Sequence, residues 1–405
     1  MPSPAEHHAS AEGPGGWLIL AFAIACGITV ANIYYAQPLV GPISESFGLD
    51  LSSAGVMLTM VMFGYVLGLL FLAPLGDLVE NKALILTTLG ALVVSLLIAA
   101  AAPSAGVFIA STMLVGLTAV ATQMILPVVA HLAPERRRGQ IVGTVMSGLL
   151  FGILLSRPLA TMVAGSFGWR AVFVMSAALM CGVLVLMTIT LPRRQPEHSL
   201  TYVRLIRSLW TLALTTRVLQ QRATYQCLLY GSFSLFWTAM PLVLEQAPFS
   251  FGHIAMSAFL LSGAGGALIA PWAGKLADHG RGDLVTVTAM LLVLASFVVT
   301  WIGGHAGGAT AVILFVIAGI LIDAGTQSNV VAGQRAIYAL ASATRSRLNA
   351  LFLAGAFFGG AVGSGFSGFA VARGGTTMIA VIGMGASLLA LALFGLEVAS
   401  RTKRS

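Results

Sequence analysis

An all-α integral membrane protein is the fold class that the sequence predicts, with twelve transmembrane helices in two six-helix repeats. Three observations predict it. Hydrophobic residues make up 58% of the 405 and charged residues only 8%, with a mean hydropathy of +0.95; a soluble globular chain carries about 25% charged residues. Apolar runs of about 20 residues, long enough to cross a bilayer core, follow one another with short polar breaks. A short charged turn, Leu75-Gly76-Asp77-Leu78-Val79-Glu80-Asn81-Lys82, has an echo about 200 positions later in Gly274-Lys275-Leu276-Ala277-Asp278-His279-Gly280-Arg281, as in a duplicated bundle.

Taken in order, a polar tail (1–16) precedes apolar runs at 17–40, 53–75, 83–102, 106–130, 140–165 and 170–191, the N-terminal bundle. Residues 192–222 form the one substantial linker. The C-terminal bundle (223–397) supplies runs at 223–244, 253–274, 284–303, 308–331, 347–371 and 374–396, and a basic tail (398–405) closes the chain. The polar tail lacks the basic start of a cleaved signal, so the first run is expected to stay as a helix. The linker interleaves six arginines with Leu, Ile, Tyr202 and Trp210, a pattern that predicts an amphipathic helix along the membrane surface.

Charge sets the orientation. With both termini cytoplasmic, 18 of the 21 Lys and Arg residues fall on the inner side; Arg170 and Arg373 fall outside and Arg157 within a helix. A helix count wrong by one in either half would destroy that split. The net charge of +8 is therefore membrane topology, not a nucleic-acid footprint. The repeat is supported by three pairs at similar offsets: Asp77 with Asp278, Gln123 with Gln327, and Arg138 with Arg347. Cys26, Cys181 and Cys227 all sit in apolar runs and are expected to be buried free thiols.

Four polar features stand where lipid-facing or core positions want Leu. Arg157 is the only basic residue inside a run, too deep to snorkel easily, and needs a cavity or a carboxylate. It is a candidate anchor for an anionic substrate group or a partner tuning a proton site; the bland alternative is an arginine bonded to helix carbonyls near Pro158. Asp323 is the only acid well inside a run, with Gln327 one turn on and Gln334 on the same face. A buried carboxyl of this kind loads and releases protons in a coupled carrier; a helix-to-helix hydrogen bond is its bland alternative. In the first run Asn32 and Tyr35 share a helical face, suggesting a cavity wall, while Tyr34 and Gln37 point elsewhere. Tyr230, Ser234 and Thr238 recur every fourth residue beside Trp237, and either line a pocket or glue helices.

The chain resembles the major facilitator superfamily, and within it the drug-and-proton antiporter branch that includes sugar-efflux-type permeases. The resemblance spans 17–397. It rests on Asn32-Ile33-Tyr34-Tyr35-Ala36-Gln37-Pro38-Leu39, the two aspartate turns, Pro134-Glu135-Arg136-Arg137-Arg138-Gly139, Gly168-Trp169-Arg170, and Arg345-Ser346-Arg347-Leu348-Asn349 followed by Phe358-Gly359-Gly360. Some family positions differ: Leu78, Glu80 and Asn81 replace basic or glycine residues of the charged turn, Ser111 stands at the place of a membrane arginine, and Arg157-Pro158 follows Gly148-x-x-x-Gly152 at a distance.

The resemblance implies a secondary transporter that works by rocking its two halves. Asp77 and Asp278 would act as inner gate residues bonded to arginines such as Arg138 and Arg347. The expected activity is proton-coupled export of a small organic compound across the inner (plasma) membrane by a monomer. Proton coupling falls to Asp323 and Arg157, and substrate contact to Asn32, Tyr35, Gln123, Arg157, Tyr230 and Gln327. Import of an organic anion by symport or uniport is the alternative within transport; a non-transporting membrane sensor is the alternative from another class. Neither a metal cluster, a phosphate loop nor a nucleophile–base set is visible in the spacing, so no cofactor and no enzymatic activity are expected.

Overall fold

The computed structural model describes residues 15–50, 55–195, 201–267, 269, 275, 276, 279, 281–340 and 344–402, and among them every regular element is helical. The principal helices are α1 (Gly16–Ala31), α2 (Val40–Phe47), α3 (Val56–Leu67), α4 (Asn81–Ala101), α5 (Ala105–Ala119), α6 (Ala121–Leu132), α7 (Arg138–Phe167), α8 (Trp169–Thr190), α9 (Tyr202–Thr215), α10 (Arg217–Glu245), α11 (His253–Leu260), α12 (Gly263–Ala267), α13 (Gly282–His305), α14 (Gly308–Tyr338) and α15 (Arg345–Thr402). Among the described residues nine helical stretches are long and apolar enough to cross a membrane. One of them lies in α15, whose 58 residues would extend about 85 Å at 1.5 Å per residue, far more than one crossing. Gly375, at φ 54° and ψ −137°, interrupts it with backbone that other residues rarely adopt, between the runs expected at 347–371 and 374–396.

The first expected run does not continue as a helix to residue 40. Helix α1 ends at Ala31 after 16 residues, and a turn leads to a 3₁₀ turn (Gln37–Leu39) and then α2. Two side-chain effects account for this. The Asn32 amide donates to the carbonyls of Ile28 and Thr29 at 2.9 and 3.1 Å, competing for the end of the ladder. Pro38 then removes an N–H and disfavours helical backbone at Gln37. Helix α3 likewise loosens into a π segment (Gly68–Leu72) and a 3₁₀ turn (Ala73–Asp77) at Pro74. The linker contains the amphipathic helix α9, with Leu205 and Leu209 buried and Val203, Trp210 and Leu214 exposed; α10 begins at Arg217, not 223.

Helix pairing repeats along the chain. In the first half α1 packs on α7, α3 on α5 and α4 on α8; in the second α10 packs on α15, α12 on α14 and α13 on α15. The matched crossings α1–α7 and α10–α15 are both backbone-to-backbone. A Cβ on Gly27 would lie 2.6 Å from the Gly148 carbonyl oxygen, and one on Gly231 would lie 2.9 Å from that of Gly359. Small residues at such crossings let apolar helices associate by close packing where lipid supplies no hydrophobic drive. Helix connectivity puts the 81, 133–138, 190–217 and 338–345 ends on one face, which gathers the basic residues, and the 32–55, 102–104, 167–169, 246–252 and 305–308 ends on the other.

The two halves meet mainly toward the face opposite the basic one. Thr59 Oγ1 donates to the Ala361 carbonyl at 2.9 Å, Ser257 Oγ to that of Pro158 at 3.2 Å, and Gly165 packs on His253. On the basic side α9 touches the Gly68–Asp77 segment and α10, with Tyr202 Oη donating to the Phe71 carbonyl at 3.0 Å. A charged lattice closes the basic end of the second half. Tyr225 Oη donates to Glu397 at 2.6 Å, Arg401 pairs with Glu397 and with Asp283 (3.0 Å), and Arg222 donates to Thr286 at 2.8 Å. Cys26 is buried, but Cys181 is exposed on the bundle exterior and Cys227 is half-buried, so the expectation of three buried thiols holds for one; Cys181 lies on the outer side of α8, where lipid takes the place of a protein partner.

Gly152→Val places a branched side chain against the Gly27 backbone and is expected to cost about 1–3 kcal/mol by overpacking. Gly143→Ala meets open space and is expected to be neutral or to stabilise by a few tenths of a kcal/mol. Thermal unfolding of the purified proteins in one detergent compares the two.

Candidate functional site

The polar centre of the molecule lies where α7 and the turn after α1 face α10 and α14. Arg157 is 2% exposed, and its Nε donates to Gln37 Oε1 at 2.7 Å. Three rings surround its guanidinium: Trp237 at 4.9 Å, Phe233 at 5.2 Å and Tyr34 at 5.3 Å from carbon to ring centroid. Cations over ring faces gain roughly 0.5–2 kcal/mol each, the upper end applying to desolvated sites. The arginine is therefore held by aromatic faces and one side-chain amide, not by helix carbonyls near Pro158.

Asp323, 6% exposed on α14, accepts a hydrogen bond from Trp237 Nε1 at 2.7 Å. It forms no ion pair with Arg157 within 4.0 Å. Trp237 touches both: its N–H holds the acid and its ring faces the base. Glycines make room for this arrangement, since a Cβ on Gly263 would lie 3.2 Å from both Asp323 Oδ2 and the Trp237 ring. A further cross-half contact is the Tyr34–Tyr230 hydroxyl pair at 2.6 Å. Tyr230 stacks on Phe233 and packs on Phe357, which in turn lies 4.4 Å from the Tyr65 ring. Gln123 Nε2 donates to Tyr65 Oη at 3.2 Å and so joins the edge of the same cluster.

The structure thus brings together Arg157, Asp323, Tyr230 and, at the margin, Gln123. Gln327 is half-buried one turn from Asp323. Asn32 is placed differently from the cavity-wall expectation, and Tyr35 is buried. Asn32 Oδ1 accepts from Ser176 Oγ on α8 at 2.5 Å, within the first half, while Tyr34 and Gln37 take the positions facing Arg157. Face arithmetic at helical spacing fails there because the helix ends at Ala31. Asp77 is exposed at the end of its 3₁₀ turn, Arg138 is exposed at the start of α7, and Arg347 donates to Ser208 of α9 at 2.8 Å. Asp278 lies outside the described residues. Of the seventh-run stripe, Ser234 donates to Met62 Sδ at 3.6 Å, and Thr238 Oγ1 is buried without a partner. A buried amide pair that sequence reasoning missed, Asn329 Nδ2 to Gln226 Oε1 at 2.7 Å, joins α14 to α10; polar residues in both apolar runs were its only signal. Among the described residues no group of His, Cys, Asp and Glu is arranged to hold a metal.

A helical membrane bundle with an acid and a base sealed where its first and second sets of helices meet is the architecture of a carrier. The Major Facilitator Superfamily model matches residues 18–332, and the chain belongs to that family of non-enzymatic membrane transporters. It is 37% identical over 374 residues to the uncharacterized transporter YgaY of Escherichia coli O157:H7, covering 92% of this chain and 94% of that protein. It is 31% identical over 372 residues to a protein of Streptomyces coelicolor named as a probable transporter, covering 90% and 84%. The solved structure of the peptide transporter POT in complex with sulfate superposes with a TM-score of 0.78 at 15% identity, covering 100% and 99% of the two chains; that likeness concerns the fold alone.

Trp237→Phe keeps a ring over Arg157 but removes the donor to Asp323. Its loss of stability is expected at about 1–3 kcal/mol, and Asp323→Leu should make it nearly silent. A thermal-unfolding double-mutant cycle with a coupling near zero would show that the indole–carboxyl bond contributes nothing.

Proposed function

We propose that the protein is a proton-coupled secondary transporter that exports a small organic compound across the inner membrane by alternating access. It works as a monomer of twelve spans in two six-helix halves, with both termini in the cytoplasm. One observation carries this reading: Asp323 and Arg157 come from opposite halves and sit in one sealed cluster, joined through Trp237 without a direct ion pair. A carrier must break and remake its cross-half contacts in every cycle. A desolvated ion pair would be costly to part. The Tyr34–Tyr230 hydroxyl pair and the ring contacts of Arg157 with Trp237 and Phe233, which do cross between the halves, are each worth on the order of 1 kcal/mol and part more easily.

In this reading Asp323 takes and releases the proton. Trp237 transmits its state to Arg157, and the Tyr34–Tyr230 pair is the central latch. Thr59–Ala361 and Ser257–Pro158 close the outer side, which agrees with a cytoplasm-facing state when the basic face is inside. Asp77, Asp278, Arg138 and Arg347 are assigned to the inner gate that forms when the halves rock the other way. The export direction follows the resemblance to the drug-and-proton antiporter branch.

The test is proton movement in liposomes holding the purified protein, challenged with lipophilic cations, sugars and organic anions. Compound-triggered proton flux is expected in the wild type and is expected to fall at least tenfold in Asp323→Asn. Transport with no proton movement, unchanged in Asp323→Asn, would overturn the coupling.

A further inference from the structure

Two of the buried polar atoms at the sealed centre that bond to nothing in the protein are N–H donors on a linked pair of side chains. They are Arg157 Nη2 and Gln37 Nε2. Their side chains are 2% and 0% exposed and already linked to one another through Arg157 Nε and Gln37 Oε1 at 2.7 Å, so both unused donors project from adjoining groups. The three rings around the guanidinium stabilise its charge but offer it no oxygen lone pair. Buried polar hydrogens are almost always bonded, and a charged one left over calls for an explanation. The Asp323 carboxyl does not supply the acceptor, because it lies beyond ion-pair reach and is held by Trp237.

We infer that this donor pair is the recognition point for the transported compound, and that the compound is an organic monoanion whose carboxylate takes one oxygen to each donor. The inference rests on the transporter reading above and adds the substrate class to it. Two adjoining donors, one of them charged, match the two oxygens of a single carboxylate. The cluster has no second cation for a dianion: among the described residues Arg157 is the only basic one in it. Tyr34, Phe233 and Trp237 surround the charge with apolar faces, so the body of the compound is flat and apolar, in keeping with pockets that fix a ligand by few polar groups among many apolar ones. The compound reaches the donor pair from the basic side.

The experiment uses the full chain in lipid nanodiscs, with thermal unfolding and tryptophan fluorescence as readouts. The probes are 2-naphthoate, its methyl ester, 2-naphthyl phosphate and 2-naphthylmethylammonium. The acid is expected to raise the melting temperature and change the fluorescence, and the other three to do neither at the same concentration. Arg157→Gln is expected to weaken the acid at least tenfold. Gln37→Glu places a permanent carboxylate beside the guanidinium; it is expected to raise the melting temperature without ligand and to abolish the response to the acid. An ester or ammonium probe as effective as the acid overturns the proposal, as does an acid response that survives in Arg157→Gln. An equal response to the phosphate overturns the monoanion assignment. No response to the acid, or a Gln37→Glu protein no more stable than wild type, overturns it as well. Because these are binding readouts, they separate from the liposome assay: acid binding with no proton flux sinks the coupling alone, and proton-coupled movement of neutral compounds without acid binding sinks the substrate class alone.

Discussion

The structure turns on the burial of one guanidinium without a carboxylate against it. An arginine deep in an apolar bundle is costly, and its usual remedy is an acid partner at hydrogen-bond distance. Here Arg157 has instead three ring faces and the Gln37 amide, and the nearby acid is given to the Trp237 indole. Much of the local architecture follows. Helix α1 stops short so that Gln37 and Tyr34 can turn inward, glycines on the α11–α12 side admit Asp323 and Trp237 together, and Pro158 leaves its carbonyl for Ser257 of the other half. A direct ion pair would have locked the halves; the indole keeps acid and base in communication while leaving each able to change partners.

The packing around that centre relies on close backbone approaches at glycine. Within each half the helices cross at glycines with backbones in contact, so each half is stiff. Between halves a similar backbone approach occurs at Gly55 against the Ser364 and Gly365 carbonyls, beside single hydrogen bonds and ring contacts.

Much of the fold was legible because it follows from quantities the bilayer imposes. Apolar length, the sided placement of arginine and the spacing of Asp77, Gln123 and Arg138 against their later counterparts are all one-dimensional signals. The site was legible in its charges and not in its neighbours. Arg157 and Asp323 stand out by being charged in apolar runs, whereas Trp237 and Phe233 look like ordinary bundle residues. The different placement of Asn32, and of Tyr34 and Gln37 toward Arg157, has a specific origin: face assignment assumes 3.6 residues per turn, and the sequence Gln37-Pro38 after a capping Asn32 ends that regime. Cys181 shows the same limit from the other direction, since an apolar run does not say which of its sides faces lipid.

Asn32 and Gln37 also show why a polar residue in a span cannot be assigned from its type. Both are amides in one six-residue stretch, and both are buried. Asn32 meets Ser176 and the carbonyls behind it, and the result is a closed knot that fixes α1 to α8. Gln37 spends its oxygen on Arg157 and is left with a free N–H₂. A satisfied amide is structure; an amide whose remaining donors have no partner, beside a cation in the same condition, is where a ligand gains more than the protein has already supplied. The difference between the two lies in hydrogen-bond completeness; other buried groups such as Gln226 Nε2 and Thr238 Oγ1 are also incomplete, but at Arg157 and Gln37 two unused N–H donors, one of them charged, adjoin.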